Sequence, residues 1–145
     1  ELLLPDQYIN FVEERLRIYR ELNDLKEEAQ LQTYVAGLVD RFGALPPQAE
    51  RLMTSLRLRW LGQSLGFDKM VLKAGKLLCY FPEEAHEAPP QEVLMNFLAK
   101  IQAFPQRYRM KQKGPRISLV VDHIPTVQDA FVTLTELSSA PKIAP

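Results

Sequence analysis

The chain has 145 residues, enough for one domain with a real core, and its 46% of hydrophobic residues exclude a disordered tail. The 18 basic and 18 acidic residues balance, so the composition does not demand a strongly electrostatic partner such as duplex DNA. One cysteine excludes an internal disulfide and no apolar run approaches the roughly 20 residues that span a bilayer, so we expect a cytoplasmic protein outside the membrane.

A first helix is predicted over about residues 5–23, because Pro5 and Asp6 both suit a helix start. Its apolar residues fall in two stripes at helical spacing: Tyr8, Val12, Leu16 and Tyr19, then Phe11, Ile18, Leu22 and Leu25. Two stripes indicate burial between two neighbours, or else one broad stripe whose edge residues are exposed. The spacing favours neither interpretation.

A second helix is predicted to begin after the potential cap Asn23-Asp24 and to end at Phe42. Its core face carries Leu31, Tyr34, Val35, Leu38 and Phe42. A different stripe is polar and contains Thr33, Gly37 and Asp40, with Arg41 at its edge. A glycine within a helix costs about 1 kcal/mol relative to alanine, but it lets another surface approach closely. The alternative is an ordinary solvated face with a tolerated glycine.

The stretch 38–47 is typical of a corner between two helices. Gly43 suits the left-handed conformation that closes a helix, and Pro46 and Pro47 suit the first turn of a new one. We expect Phe42 and Leu45 to pack at this corner. A third helix is predicted from Pro47 to about Gly66, with Trp60 as a core anchor rather than a stacking platform.

The second half alternates between hairpins and helices. Strands are predicted at 69–73 and 76–81, and again at 107–111 and 116–122, with glycine in or near each turn. Between the hairpins lie an acidic loop at 83–87 and a helix from Pro89-Pro90 to about Phe104, whose inward residues are predicted as Val93, Leu94, Phe97, Leu98, Ile101 and Phe104. Thr126-x-x-Asp129 resembles a capping box that opens a last helix.

These elements predict an α+β fold, in which an N-terminal three-helix segment packs with a small antiparallel sheet of two hairpins and two further helices. A chain this short favours one joint core, so we expect a single domain over residues 1–138 and a frayed tail over 139–145. Because the chain begins at Glu1 without a methionine, we expect it to be a fragment of a longer protein.

No catalytic constellation is found in the sequence. It lacks a phosphate-binding glycine loop, and Cys79 falls in a predicted strand, which is typical of a packed side chain and not of a nucleophile. His86 and His123 with one cysteine do not make a common zinc site, and His86 between Glu84 and Glu87 fits a solvated loop better than a metal site. We expect no enzyme activity, no cofactor and no metal.

The second hairpin carries a run of basic residues without an acid: Arg107, Arg109, Lys111, Lys113 and Arg116. Arginine binds phosphate and the interleaved Tyr108 is able to stack on bases, so nucleic-acid contact is one interpretation. The other is a strand with one wet face, whose basic side chains protect a sheet edge.

Several short motifs, in order and at consistent spacing, identify a family resemblance. They are Leu4-Pro5-Asp6 with Tyr8-Ile9, Arg15-Leu16 with Tyr19, Asp40-Arg41-Phe42-Gly43-x-Leu45-Pro46, Leu58-Arg59 and Leu65-Gly66. Together they resemble the C-terminal domain of the bacterial transcription-repair coupling factor, Mfd, over nearly the whole chain, from about Leu4 to Leu137.

The resemblance implies a function for the chain. A full-length Mfd protein recognises stalled RNA polymerase, moves on DNA with an ATP-driven motor and recruits the nucleotide excision repair protein UvrA. Its C-terminal domain is not the motor but packs on a UvrB-like N-terminal domain, masking the surface for UvrA and acting as an autoinhibitory clamp. The helix that ends in the Asp-Arg-Phe-Gly motif carries the polar contacts, which fall here on Asp40 and Arg41.

This chain departs from the family at one position of that helix. The family often has an acidic residue three positions before the aspartate, where this chain has Gly37, so one ionic contact is missing or replaced. We therefore expect a partner-binding surface of Thr33, Gly37, Asp40 and Arg41. The alternative function is an accessory module that contacts DNA or RNA polymerase through the basic hairpin, residues 107–116.

Overall fold

The computed structural model describes residues 4–82 and 91–138, which form five helices and four strands. In chain order these are α1 (Val12–Asp24), α2 (Glu28–Phe42), α3 (Pro47–Ser64), β1 (Lys69–Lys73), β2 (Lys76–Tyr80), α4 (Gln91–Ala103), β3 (Tyr108–Lys113), β4 (Arg116–Val121) and α5 (Val127–Ser138). The α+β class is confirmed.

The chain divides into two compact units, Glu1–Trp60 and Leu61–Pro145. A single domain over 1–138 stays a prediction, and the predicted tail at 139–145 lies outside the described residues.

Helix α1 begins at Val12, so the prediction of a start near Pro5 is wrong. The backbone N–H groups of Tyr8 and Ile9 donate to the carbonyl of Pro5 in a turn, at 3.1 and 3.2 Å. This turn buries Ile9, and Arg15 donates to the Ile9 carbonyl at 2.7 Å, so packing decides the conformation ahead of the helix.

The two apolar stripes of α1 resolve into one broad stripe with exposed edges. Ile18 and Leu22 are buried, and Tyr19 and Leu25 are partly buried against the same core. The edge residues Phe11, Val12 and Leu16 are 71%, 58% and 49% exposed. The interpretation of two buried stripes is therefore wrong.

Helix α2 begins at Glu28, later than the predicted cap at Asn23-Asp24. The side chain of Asn23 instead accepts a hydrogen bond from Arg59 of α3 at 2.5 Å, so it is not used as a cap. The core of the first unit lies between α1, α2 and α3 and includes Ile18, Leu22, Leu31, Leu38, Met53 and Leu56. Trp60 packs against this core and its indole N–H donates to the Leu25 carbonyl at 3.2 Å, as expected of an anchor.

Both hairpins belong to one antiparallel sheet with strand order β1-β2-β4-β3. Central pairs are Cys79 with Leu119 and Leu77 with Val121, and these four side chains are buried on one face. Phe67 stacks on Phe97 of α4, with ring centroids 5.6 Å apart. Helix α4 therefore closes the apolar side of the second unit.

The predicted inward face of α4 is only partly correct. Phe97 is buried, but Leu94, Leu98 and Phe104 are 41%, 45% and 57% exposed, so their predicted burial is wrong. The helix instead buries Asn96, which donates to the carbonyls of Leu137 and Ser138 at the end of α5. The side chain of Val93 lies outside the described part of the structure.

Helix α5 begins as the capping pattern predicts. The Thr126 hydroxyl accepts a hydrogen bond from the backbone N–H of Asp129 at 3.1 Å and donates to the Asp129 carboxylate at 2.7 Å. The acidic loop at 83–87, with His86, lies outside the described residues. Within residues 4–82 and 91–138, no helix has the length and apolar character needed to cross a bilayer.

Candidate functional site

The corner after α2 has the positive φ that Gly43 permits, but not the predicted left-handed helical conformation. Gly43 has φ 89° and ψ −168°, and its N–H donates to the Val39 carbonyl at 2.9 Å. Tyr8 supports the corner from the preceding turn, because its hydroxyl donates to the Gly43 carbonyl at 3.1 Å and its ring lies 5.8 Å from that of Phe42. The last turn of α2 is thus held in place by a side chain 35 residues away.

The polar stripe of α2 is fully on the surface. Thr33, Gly37, Asp40 and Arg41 are all exposed, and the Thr33 hydroxyl donates back to the Ala29 carbonyl at 3.2 Å. A Cβ placed on Gly37 would meet no atom within 4 Å. Packing within the chain therefore does not explain why a glycine occupies position 37. The open space beside it is available to the surface of a binding partner.

Small side chains extend this stripe toward the start of α2. Ala29 and Ala36 are exposed beside Thr33 and Gly37, so another backbone is able to come close to this helix. A shallow cavity of about 450 Å³ lies at the same end, lined by Leu25, Ala29, Gln30, Thr33 and Tyr34. Burial, and then the nearby Glu21 carboxylate, raise the pKa of Tyr34 to about 12, so its hydroxyl stays protonated at neutral pH.

Arg41 already has partners inside the first unit. Its guanidinium forms an ion pair with Glu14 of α1 and lies 4.8 Å from the centroid of the Phe42 ring. Glu14 also accepts from Arg17 at 2.6 Å. Partial burial raises the pKa of Glu14, but the hydrogen bonds from Arg41 and Arg17 outweigh it and hold the pKa below its usual value.

Asp40 differs from its neighbour. It is exposed, and its carboxylate makes no hydrogen bond or ion pair with any residue in the described ranges. An exposed carboxylate beside a stripe of small residues is suited to an ion pair with a basic side chain of another surface. Of the two charged residues in the motif, Asp40 is the one whose charge is uncompensated in the first unit.

Several basic side chains of the second hairpin already have hydrogen-bond or ion-pair partners within the chain. Arg107 donates to the Thr133 hydroxyl at 2.9 Å, and Arg109 makes two 3.1 Å hydrogen bonds to Asp122, which lower the pKa of that carboxyl. Arg116 pairs with Asp68 at 2.6 Å. Lys111 and Lys113 are exposed and make no ion pair with a described residue.

Sequence reasoning missed the role of Glu14, which lies 27 residues from Arg41. It also missed Asp68 and Asp122, the two acids that pair with the hairpin. No local pattern signals such pairs, because side chains this far apart in sequence meet only through the fold.

Other reactive side chains are isolated. Cys79 is fully buried, and burial raises the pKa of its thiol to about 12, so it is not a thiolate at neutral pH. Among the residues described, no group of three or more His, Cys, Asp or Glu side chains is placed to hold a metal ion.

Known proteins are similar to this chain over most of its length. The family model of the TRCF domain matches residues 1–92. The transcription-repair-coupling factor of Escherichia coli (strain K12) is 34% identical over 121 residues, which cover 83% of this chain and 10% of that protein. That of Haemophilus influenzae (strain ATCC 51907 / DSM 11121 / KW20 / Rd) is 29% identical over 114 residues, 78% of this chain and 9% of that protein.

The chain thus spans about a tenth of the length of these relatives. A crystal structure of the C-terminal domain of transcription-repair coupling factor has the same fold, with a TM-score of 0.62 at 17% identity. The superposition covers 94% of this chain and 88% of that one.

Proposed function

The chain belongs to the TRCF domain family, and from this membership we propose that it is a non-catalytic, autoinhibitory interaction domain of a transcription-repair coupling factor. In this proposal the polar stripe of α2 packs on a UvrB-like N-terminal domain of the same protein and masks the surface that binds UvrA. The parent protein would be an ATP-dependent DNA translocase of the cytoplasm that acts on stalled RNA polymerase.

One observation carries the assignment of the surface. Asp40 is exposed without a charge partner in the described chain, at the end of a helix face that is open at Gly37 and lined by small residues. A solvated helix face has no need of small residues, whereas a closely packed interface does. Because Arg41 is held by Glu14, Asp40 is expected to make the principal ionic contact and Arg41 to position it.

The test compares UvrA affinity of the full-length parent protein with and without a charge reversal. Asp40→Lys would place a like charge against a basic partner, which typically costs about 2–5 kcal/mol of association when the pair is partly buried. The closed form should open, and each 1.4 kcal/mol lost from it raises the open fraction about tenfold while the closed form dominates. We therefore expect UvrA to bind the variant more tightly.

Asp24→Lys is the matched control, because Asp24 is also an exposed acid in the last turn of a helix of the first unit. It changes the net charge equally and should leave UvrA affinity unchanged. Arg41→Glu is less suitable, since it also breaks the ion pair with Glu14. Equal UvrA affinity in wild type, Asp40→Lys and Asp24→Lys, with unchanged melting curves, would remove Asp40 from the interface.

A second variant tests the unusual glycine. Gly37→Glu is sterically free within the chain and supplies the acidic side chain that the family resemblance implies at this position. It should tighten the closed state and lower UvrA affinity. If UvrA bound Gly37→Glu more tightly than wild type, an acidic side chain at position 37 would not strengthen the contact with the N-terminal domain, and this prediction would be wrong.

The alternative, contact with DNA or RNA polymerase through residues 107–116 alone, has less support. Arg107, Arg109 and Arg116 of that hairpin are engaged by Thr133, Asp122 and Asp68. The hairpin by itself therefore presents a weaker cationic surface than its sequence indicates.

A further inference from the structure

The four-stranded sheet has one apolar face, and the other face carries its basic side chains around three apolar residues, Val71, Leu78 and Val120, of which Val120 is buried. Paired residues of antiparallel strands share a face, and alternate residues of one strand do also. Lys69 pairs with Tyr80, Tyr80 with Ser118, and Ser118 with Lys111, so all four lie on one face. The buried residues Leu77, Cys79 and Leu119 lie on the other.

Every lysine and arginine of the strands lies on the face that carries Tyr80, which we call the basic face. The first hairpin contributes Lys69, Lys73 and Lys76. The second contributes Arg109, Lys111, Lys113 and Arg116. None of the four strands contains an acidic residue. The neutral total of 18 basic and 18 acidic residues thus conceals a face on which the charged residues of the strands are all basic.

Two acids beside the strands neutralise only the middle of this face. Asp122 binds Arg109 and lies 3.9 Å from Lys76, and Asp68 binds Arg116. Four exposed lysines make no ion pair with a described residue: Lys69, Lys73, Lys111 and Lys113. The uncompensated charge therefore lies on the two edge strands, β1 and β3.

The spacing of these two rows is informative. Three strand spacings of about 4.8 Å separate β1 from β3, so the lysine rows are about 14 Å apart. The major groove of B-DNA, with a row of phosphates on either side, is about 12 Å wide. A duplex thus presents two anionic rows at the separation of the two lysine rows, and a single strand presents only one.

We propose that the basic face binds the phosphate backbone of double-stranded DNA, with the β1 and β3 lysines on opposite sides of a groove. The face has no free stacking platform for single strands, because Lys69 and Arg116 already lie 5.6 and 5.3 Å from the Tyr80 ring centroid. Contact through phosphates alone is independent of base sequence. The inference goes beyond the clamp and does not rest on it, since the clamp concerns α2.

The test measures binding of the whole 145-residue chain to a labelled duplex of about 30 base pairs by fluorescence anisotropy, between about 50 and 200 mM NaCl. The variant is Lys73→Gln, Lys111→Gln and Lys113→Gln together, which leaves Lys69 on Tyr80. The slope of log K against log salt should become less negative by about 0.9 for each lysine that contacts a phosphate. Affinity at the lowest salt should fall by about tenfold or more.

The matched control is Arg20→Gln, Lys26→Gln and Arg51→Gln together, which removes the same charge from exposed residues of the first unit. It should leave the slope unchanged, and both triple variants should keep the wild-type melting temperature. The proposal would be overturned if the two triple variants lost equal affinity for the duplex, or if the wild type did not bind the duplex at the lowest salt. The role of these lysines would then be to protect the edges of the sheet. Tighter binding to a single strand of the same length, or equal competition by poly-glutamate, would also overturn it.

Discussion

An added methyl group would have opposite effects on the stability of the protein at Gly43 and at Gly37. Gly43 has φ 89° and ψ −168°, a region that only glycine occupies readily, whereas Gly37 lies in a regular helix with open space at its Cβ. Gly43→Ala should lower the free energy of unfolding by about 1–3 kcal/mol, and Gly37→Ala should raise it by about 0.5–1 kcal/mol. Urea unfolding measures both, and the identical chemical change makes each the control of the other. Effects of the same sign would contradict the assigned backbone conformations.

At the scale of elements, an ion pair joins α2 to α3. Arg57 donates from Nε and Nη2 to the two carboxylate oxygens of Glu28, at 2.7 and 2.9 Å. Hydrogen bonds from Arg57, and then from Gln32, lower the pKa of Glu28. Its stabilising contribution is therefore complete above the unfolded-state pKa of about 4.3 and is lost as the pH falls through the lower folded-state pKa.

A double-mutant cycle with Glu28→Gln and Arg57→Gln measures that contribution. Because both side chains are partly exposed, with relative accessibilities of 51% and 30%, the coupling energy at pH 7 should be only about 0.5–1 kcal/mol. It should decrease as the pH is lowered below about 4. The same cycle with Asp24→Asn in place of Glu28→Gln should give no coupling. A coupling energy that stayed constant on acidification would show that the Glu28 carboxylate charge is not involved.

At the scale of the whole molecule, the absence of a phosphate-binding loop from the sequence has a direct consequence. Nucleotide hydrolysis requires backbone N–H groups and a lysine around the phosphates and acidic or hydroxyl ligands for magnesium. We therefore expect the 145-residue chain neither to bind nor to hydrolyse ATP. Isothermal titration and phosphate release measure this, with a known ATPase as the positive control. Saturable turnover that survives a change of purification route would contradict the non-catalytic assignment.

Features that depend on a few neighbouring residues follow from the sequence alone. Gly43 closes α2, Pro47 opens α3 and Thr126 caps α5, because backbone sterics and local hydrogen bonds decide each of them. Both hairpin turns likewise have glycine at positive φ, 74° at Gly75 and 61° at Gly114. The polar stripe of α2 was readable from helical periodicity for the same reason.

Features that depend on contacts between distant residues follow only from the way the chain folds. Because Ile9 is buried in the preceding turn, α1 begins only at Val12. Because Asn96 of α4 faces inward and donates to a carbonyl at the end of α5, Leu94 and Leu98 face outward. Long-range ion pairs hold Arg41 and neutralise Arg109 and Arg116 of the second hairpin. The basic face exists only because the strand order β1-β2-β4-β3 brings two hairpins into one register, and neither hairpin alone specifies that pairing.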